Sequence, residues 1–168
     1  WRVRANNAVG WSTFSSASSF STIRAADVSA ISIRRSFDVS GFSSRPRGLA
    51  WDGQTLWMID QKTNPDIYQL DTAGNVLRSF PAPRFPDSDL SWDGTGLWVG
   101  GAGTNPYRQL KIDTLGNRID SLNAYYWPNS GIDWDGKFFW VGDYNLSRIH
   151  KHSRSGAEIL NFNASAIF

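Results

Sequence analysis

Two histidines are the side chains best spaced for chemistry in this sequence. His150 and His152 lie two residues apart in one short run, and alternate residues of a β-strand point to the same face. Two imidazoles on one face suit a metal ion, but the sequence indicates no third ligand. We therefore predict a surface pair on a strand. The sequence contains no Ser-His-Asp order, no Gly-x-Ser-x-Gly turn and no phosphate-binding loop, so we expect no enzyme.

The two histidines belong to a sequence that repeats, and each repeat begins with a short motif that ends in Trp-Asp-Gly. The copies begin at Gly48, Asp89 and Gly131, and their tryptophans are 92 − 51 = 41 and 134 − 92 = 42 residues apart. A period of this length marks a repeat architecture. Each unit holds four short runs rich in β-branched and aromatic residues, and Asp-Gly between the first two favours a hairpin. The sequence predicts an all-β fold of four-stranded units over about residues 47–83, 88–127 and 130–168.

The repeat resembles a known class of β-propeller. Its pattern reads G-hydrophobic-x-W-D-G-x-x-L-W-V-x-D and then I-Y-x-L-D-x-x-G-x-V-x-x-S-F, within residues 47–162. It is similar to the bacterial extracellular repeats of the NHL, gluconolactonase-like and glutamine-cyclotransferase-like group. The resemblance implies that each unit is a blade of four antiparallel strands. Residues 31–37 resemble the fourth strand of a further blade, so we place the propeller blades in residues 31–168. His152 aligns with Asp71 and Asp113 in this pattern.

Acidic residues near the axis are the second set of candidates for chemistry. In lactonase-like propellers such residues hold a cation, and oxygen ligands suit Ca²⁺. The resemblance therefore makes three aspartates weak candidates for a metal site, namely Asp60, Asp133 and Asp143. The matching positions in other units hold Ala50, Ser91 and Gly101, which cannot complete a charged ring. We predict no metal and no cofactor.

Six of the nine tryptophans occupy equivalent positions in the repeats. A large flat side chain buries much apolar area where two sheets meet. We predict that these six form the structural core between neighbouring blades, with Trp92 of the middle unit nearly fully buried. They are Trp51, Trp57, Trp92, Trp98, Trp134 and Trp140.

The first 22 residues follow a different pattern. The run Trp1-Arg2-Val3-Arg4-Ala5-Asn6-Asn7, followed by the turn at Gly10-Trp11-Ser12, resembles the last two strands of a fibronectin type III domain. That family needs seven strands in about 100 residues, so this hairpin would be incomplete. The alternative is an unrelated hairpin that packs on the propeller. We predict that residues 23–30 form a linker.

The connections that differ between repeats are the predicted place for ligand binding, because loops carry specificity on a fixed scaffold. One arginine and five aromatic residues would gather on one face and suit a sugar or a protein, namely Arg84, Phe85, Tyr125, Tyr126, Trp127 and Tyr144. The alternative is that they pack their own loops. Asn145 and Asn163 begin glycosylation acceptor sequences.

Composition fits an extracellular structural protein. There is no cysteine, and the net charge of +2 is too small to suggest nucleic acid. The sequence has no run of about 18 apolar residues, so we predict no membrane span.

Three blades cannot close a ring of about four to eight blades, so we expect additional chain of the same protein, or other copies of it, to complete the propeller. We predict a non-enzymatic secreted or cell-surface scaffold for adhesion or assembly, with an oligomer or fibre as the assembled form. The alternatives are a glycan-binding propeller and a lactonase-like or glutamine-cyclotransferase-like enzyme.

Overall fold

The computed structural model describes residues 6–7, 10–11, 35–83, 87–101, 108–123, 129–143 and 146–164. The chain divides into two compact units, residues 1–36 and 37–168. In the first unit, strand β1 (Asn6–Asn7) pairs antiparallel with β2 (Gly10–Trp11). This hairpin lies where the fibronectin-like strands are predicted, and membership of that family stays a prediction. Within the described ranges, no helix has the length and apolar character needed to cross a membrane.

The second unit contains three four-stranded antiparallel sheets, in which the strands lie side by side in chain order. Blade 1 consists of β3 (Pro46–Trp51), β4 (Leu56–Asp60), β5 (Asp66–Leu70) and β6 (Val76–Pro81). Blade 2 consists of β7 (Asp87–Trp92), β8 (Leu97–Gly101), β9 (Arg108–Ile112) and β10 (Arg118–Asn123). Blade 3 consists of β11 (Asn129–Trp134), β12 (Phe139–Asp143), β13 (Arg148–His152) and β14 (Glu158–Asn163). The predicted all-β class with three four-stranded repeats is confirmed.

The Trp-Asp-Gly motif forms the turn between the first two strands of each blade. In blade 2, Asp93 Oδ1 accepts hydrogen bonds from the backbone N–H groups two and three residues later, at 3.0 and 3.1 Å. Its Oδ2 accepts a hydrogen bond from Trp98 Nε1 at 2.9 Å. Asp52 and Asp135 make the same three kinds of bond. The following glycine has φ between 91° and 101° in all three turns, a conformation that favours glycine. One aspartate therefore fixes both the turn and the orientation of the second tryptophan.

The core of the propeller lies between successive blades. Between blades 1 and 2 it is apolar and includes Trp57 and Ile67 from one side and Leu97 and Ile112 from the other. The first strands of these blades approach so closely that a Cβ on Gly48 would collide with the backbone of Asp89. Between blades 2 and 3, the rings of Trp98 and Phe139 meet edge to face with centroids 4.7 Å apart. Each blade therefore buries its large side chains against its neighbour.

The side of blade 1 that faces away from blade 2 is partly covered by the segment that precedes β3. Val39 and Phe42 pack on Met58, Tyr68 and Leu70. The Tyr68 hydroxyl donates a hydrogen bond to the Phe42 carbonyl oxygen at 2.9 Å. This short segment takes part of the place that another blade would occupy.

Phe37 repeats a contact that connects the other blades. Its ring lies against the turn at Gly74, as the ring of Phe80 at the end of blade 1 lies against the turn at Gly116 in blade 2. Residues 35–37 belong to no strand, and residues 31–34 lie outside the described ranges. The strand over 31–37 therefore stays a prediction, while Phe37 occupies the position that its alignment with Phe80 implies.

Candidate functional site

One side of blade 3 faces no other described blade. The strand register places Trp140 beside Lys151, Lys151 beside Leu160, and Ile149 beside Phe162, so these five side chains share that side. We call these five residues the outer face of blade 3. The corresponding side of blade 1 carries Trp57, Ile67 and Phe80, which pack against blade 2.

The outer face of blade 3 is apolar and accessible. Leu160 is 50% exposed and Phe162 is 37% exposed, whereas Trp57 and Ile67 on the matching side of blade 1 are 0% exposed. Trp140 is half-buried, and Lys151 Nζ lies 4.7 Å from the centroid of its ring. The lysine stem and ammonium group cover part of a surface that the repeat elsewhere buries between sheets.

The six repeat tryptophans have unequal environments. Trp57 and Trp98 are fully buried between blades. The prediction is wrong for Trp51, which is 52% exposed because it lies on the side of blade 1 away from blade 2. It is also wrong for Trp92, which is half-buried because it ends its strand at the edge of the first core. Trp134 and Trp140 are half-buried as well.

Asp60 and Asp143, two of the three candidate aspartates, have separate structural partners. The buried Asp60 accepts a hydrogen bond from the backbone N–H of Arg45 at 3.1 Å, which holds the segment leading into β3. The buried Asp143 accepts one from the backbone N–H of Leu146 at 2.9 Å. Each carboxylate therefore stabilises a chain turn at the end of a second strand.

Asp133, the third candidate, lies on the first strand of blade 3 and is exposed. Ser91 Oγ donates to its Oδ1 across the blade boundary at 3.5 Å. Nearby, Asp89 accepts a hydrogen bond from the backbone N–H of Ile132 at 2.7 Å. Burial raises the pKa of Asp89, and the charge of Asp133 adds to that rise, against hydrogen bonds that lower it. Sequence reasoning missed Asp89, although it replaces the glycine that the other two repeats have at this position.

His150 and His152 are not a surface pair. They are 1% and 2% exposed, on the side of β13 that faces blade 2, so that prediction is wrong. The register sets His152 opposite Phe139, as Ile112 is set opposite Leu97 and Leu70 opposite Leu56. His152 therefore aligns with Leu70 and Ile112, and its predicted alignment with Asp71 and Asp113 is wrong by one residue.

Glu158 is the third ionisable group beside the histidines, and sequence reasoning missed it. It pairs with His152 across β13 and β14, and its Oε2 lies 3.1 Å from His150 Nδ1. His152 Nδ1 lies 3.3 Å from the carbonyl oxygen of Gly156. Burial lowers the pKa of His152, while the hydrogen bond with Gly156 and the charge of Glu158 oppose that effect. One ring nitrogen of each histidine and one oxygen of Glu158 lie within 4.8 Å of one another.

A charged contact joins blades 2 and 3 at the turn of blade 2. Lys111 Nζ and Arg154 Nη2 lie 2.7 and 3.0 Å from Asp93 Oδ2. Burial alone would raise the pKa of Asp93, but hydrogen bonds from Lys111, Trp98 and Thr95 outweigh it and lower the pKa to about 2. Asp93 is therefore ionised at neutral pH and connects Arg154 of blade 3 to blade 2.

The loop residues predicted to bind a ligand lie outside the described residues. This applies to Arg84, Phe85, Tyr125, Tyr126, Trp127 and Tyr144, and also to Asn145 of the first glycosylation sequence. Asn163 ends β14 and is exposed. Binding at this group of loops stays a prediction.

No protein-family model matches the chain, and no curated protein matches its sequence. Solved structures do match. A chain of the nidogen/laminin complex is 20% identical with a TM-score of 0.64, and the match covers 77% of this chain and 51% of that one. Myxococcus xanthus glutaminyl cyclase is 13% identical with a TM-score of 0.57, over 72% of this chain and 51% of that one. A Bacteroides caccae protein of unknown function is 11% identical with a TM-score of 0.56, over 71% and 46%.

These matches show the β-propeller fold and no more than the fold, because their sequence identities are low. The chain spans about half the length of the structures that it matches.

Proposed function

We propose that this chain contributes three blades to an extracellular β-propeller that serves as a scaffold for adhesion or assembly. The outer face of blade 3 carries the proposal. Three of its side chains, Trp140, Ile149 and Phe162, occupy positions that blade 1 packs against blade 2, and Phe162 stands exposed there. An accessible apolar sheet face of this kind favours association.

The occupant that fits this face is another blade with an apolar side. In blade 2 the surface that meets blade 1 presents Leu90, Leu97, Val99 and Ile112. A surface of the same kind would cover the aromatic and aliphatic groups of the outer face and leave the Lys151 ammonium group at its rim. The matched solved chains are about twice as long as the matched part, as a ring with further blades requires.

Several carboxylates form hydrogen bonds that hold the fold, and this favours a scaffold over an enzyme. Asp52, Asp93 and Asp135 hold turns and tryptophans, and Asp60 holds the segment before β3. Carboxylates whose oxygens are occupied by these hydrogen bonds stabilise the fold. One of the matched solved chains belongs to a complex of two proteins, nidogen and laminin, which is consistent with a propeller that binds a protein.

The test is the solution mass of the 168-residue chain by light scattering over a range of concentrations. We expect the wild type to associate and Phe162→Glu to associate less, because the variant places a charge at a position whose equivalent in blade 2, Leu122, is buried. Leu115→Glu is the control, since Leu115 is an exposed apolar residue in a turn of blade 2. A wild-type chain that stays monomeric at every concentration, while the protein as its source makes it also leaves this face open, would contradict the proposal.

A second candidate function is that of a glutamine-cyclotransferase-like enzyme. Asp89 and Asp133 favour it, because burial and the charge of Asp133 raise the pKa of Asp89, which is the direction in which enzymes shift the pKa of an acid–base carboxyl group. The test is an assay of the chain on peptides with an N-terminal glutamine. Cyclisation that is lost in Asp89→Asn and kept in Asp120→Asn, an exposed carboxylate on β10, would replace the scaffold proposal with this one.

The proposed location is the cell surface or the medium, with a fibronectin type III domain in front of the propeller. The hairpin of β1 and β2 is consistent with the final two strands of such a domain. Surface proteolysis of intact source cells, followed by peptide identification, tests the location. Recovery of its peptides only after cell lysis would contradict it.

A further inference from the structure

We propose that His150, His152 and Glu158 bind a divalent transition-metal ion, with Zn²⁺ as the best fit. The chain contains two histidines and a single glutamate, and the fold brings all three together on β13 and β14 of blade 3. One candidate ligand atom from each lies within 4.8 Å of the other two. This site is separate from the outer face, because both histidines point to the opposite side of the blade.

The spacing of these atoms is close to that of a tetrahedral site. With metal–ligand bonds of about 2.0–2.2 Å, tetrahedral ligand atoms are roughly 3.3–3.5 Å apart. His150 Nδ1 and Glu158 Oε2 are already 3.1 Å apart. The two contacts of His152, with His150 and with Glu158, lie within 4.8 Å and have to shorten by at most roughly 1.5 Å, which side-chain rotation allows. Imidazole with carboxylate suits zinc, nickel or copper better than Ca²⁺, which prefers oxygen ligands alone.

The other blades show that the two histidines are not needed for the fold. Blade 2 has Leu110 and Ile112 at their positions, and blade 1 has Tyr68 and Leu70. All four of these residues are buried in their blades. Two buried imidazoles need polar partners, and Glu158 and the Gly156 carbonyl oxygen already lie beside one nitrogen of each ring. A metal ion bound by both rings and Glu158 would add to these interactions and give this departure from the repeat a functional reason.

Polar groups lie beside the second nitrogen of His150 and beside Nδ1 of His152. Asp143 is 3% exposed, and its Oδ2 lies 3.9 Å from His150 Nε2 without a hydrogen-bond partner among the described residues. This carboxylate can orient the far nitrogen of His150, as the second ligand sphere of many zinc sites does. The Gly156 carbonyl oxygen near His152 Nδ1 favours the tautomer in which Nε2 carries the lone pair. The Glu158 side chain is 28% exposed and provides a path from solvent.

The first test is calorimetric titration of the untagged, chelator-treated chain with ZnCl₂. The sequence contains two histidines and no cysteine, so imidazole or thiolate binding elsewhere cannot contribute. We expect one Zn²⁺ per chain and a higher melting temperature with zinc. The matched variant combines His150→Leu with His152→Ile, which installs the buried residues of blade 2, and we expect it to fold and to bind no zinc. Zinc binding by this variant at the wild-type stoichiometry would overturn the proposal, as would no binding by the wild type.

The second test is the absorption spectrum with Co²⁺, which reports coordination independently of stability. We expect the visible bands of tetrahedral cobalt in the wild type and a loss of affinity of roughly tenfold or more in Glu158→Gln. Asp120→Asn is the control, because Asp120 is an exposed carboxylate on β10. Equal cobalt affinity of Glu158→Gln and the wild type would remove Glu158 from the site and with it the proposed ligand set.

Discussion

Two equivalent sheet surfaces in this molecule have opposite environments. The side of blade 1 that carries Trp57 is covered by blade 2, and Trp57 is 0% exposed. The side of blade 3 that carries Trp140 has no described blade on it, and Trp140 is half-buried. Both tryptophans donate the same hydrogen bond, at 2.8 Å, to the aspartate of their turn. The repeat therefore fixes the local conformation of each blade, while burial depends on which neighbour is present.

The largest expected difference between the two surfaces concerns these tryptophans. Trp57→Ala removes a fully buried aromatic group and should lower the free energy of unfolding by about 3–5 kcal/mol. Trp140→Ala loses the matching hydrogen bond but less buried area, so its loss of stability should be smaller. Urea denaturation of the two variants measures the difference. Equal losses would show that blade 3 is as enclosed as blade 1.

A smaller difference is expected at the aspartates of the turns. Asp93 lies in the contact of blades 2 and 3 and has its pKa lowered from 3.8 to about 2. A depressed pKa means that the ionised form stabilises the fold, by about 2 kcal/mol at neutral pH. Asp93→Asn should remove this stabilisation, and Asp135→Asn on the open side should cost less. A larger loss of stability for Asp135→Asn than for Asp93→Asn would contradict the claim that Asp93 stabilises the fold more strongly.

The lowered pKa of Asp93 predicts that the stability of the chain depends on pH. Because its pKa is lower in the folded chain, the contribution of Asp93 is fully present above about pH 4 and is lost as the pH falls towards 2. Denaturant titrations of the wild type and Asp93→Asn at several pH values should therefore converge in acid. A stability gap that persists unchanged below about pH 2 would mean that Asp93 acts through shape rather than charge.

The smallest expected effect belongs to the exposed end of the same contact. Arg154 reaches Asp93 from the turn between β13 and β14 and lies over the ring of Trp134, 5.5 Å from its centroid. Its guanidinium group is largely solvated, so Arg154→Ala should cost about 0.2–1 kcal/mol. Thermal melting in low and high salt checks this, since the cost should shrink with salt. A cost that is large and independent of salt would assign Arg154 a packing role.

The sequence was sufficient to predict features that depend on neighbouring residues along the chain. The four-strand units and the Asp-Gly turns follow from short-range patterns and are present in the structure. The exposure of Trp51 was not predictable in this way, because it depends on which sheet packs beside blade 1.

The histidine cluster shows a second limit of sequence reasoning. The third-strand residues of blade 3 align equally well in two registers unless Gly156 is matched to Gly74 and Gly116, which places His152 with buried Leu70. The approach of Glu158 depends on a register shift between Lys151 and His152. The same shift accompanies the glycine turn in the other two blades, so the repeated turn could have indicated it. Asp89 carried a usable signal, because it interrupts a glycine repeat position.

The most direct test of the account is the accessibility of the outer face to a thiol reagent. The chain has no cysteine, so Phe162→Cys and Leu115→Cys each introduce a single reporter. In the isolated chain at low concentration, both should react. We predict that Phe162→Cys becomes protected at high concentration if a second copy supplies the covering blade, or in the protein as its source makes it if the same polypeptide does. Leu115→Cys should react rapidly throughout. Phe162→Cys that reacts under all of these conditions as fast as it does in the dilute chain would contradict the claim that blade 3 joins a further blade.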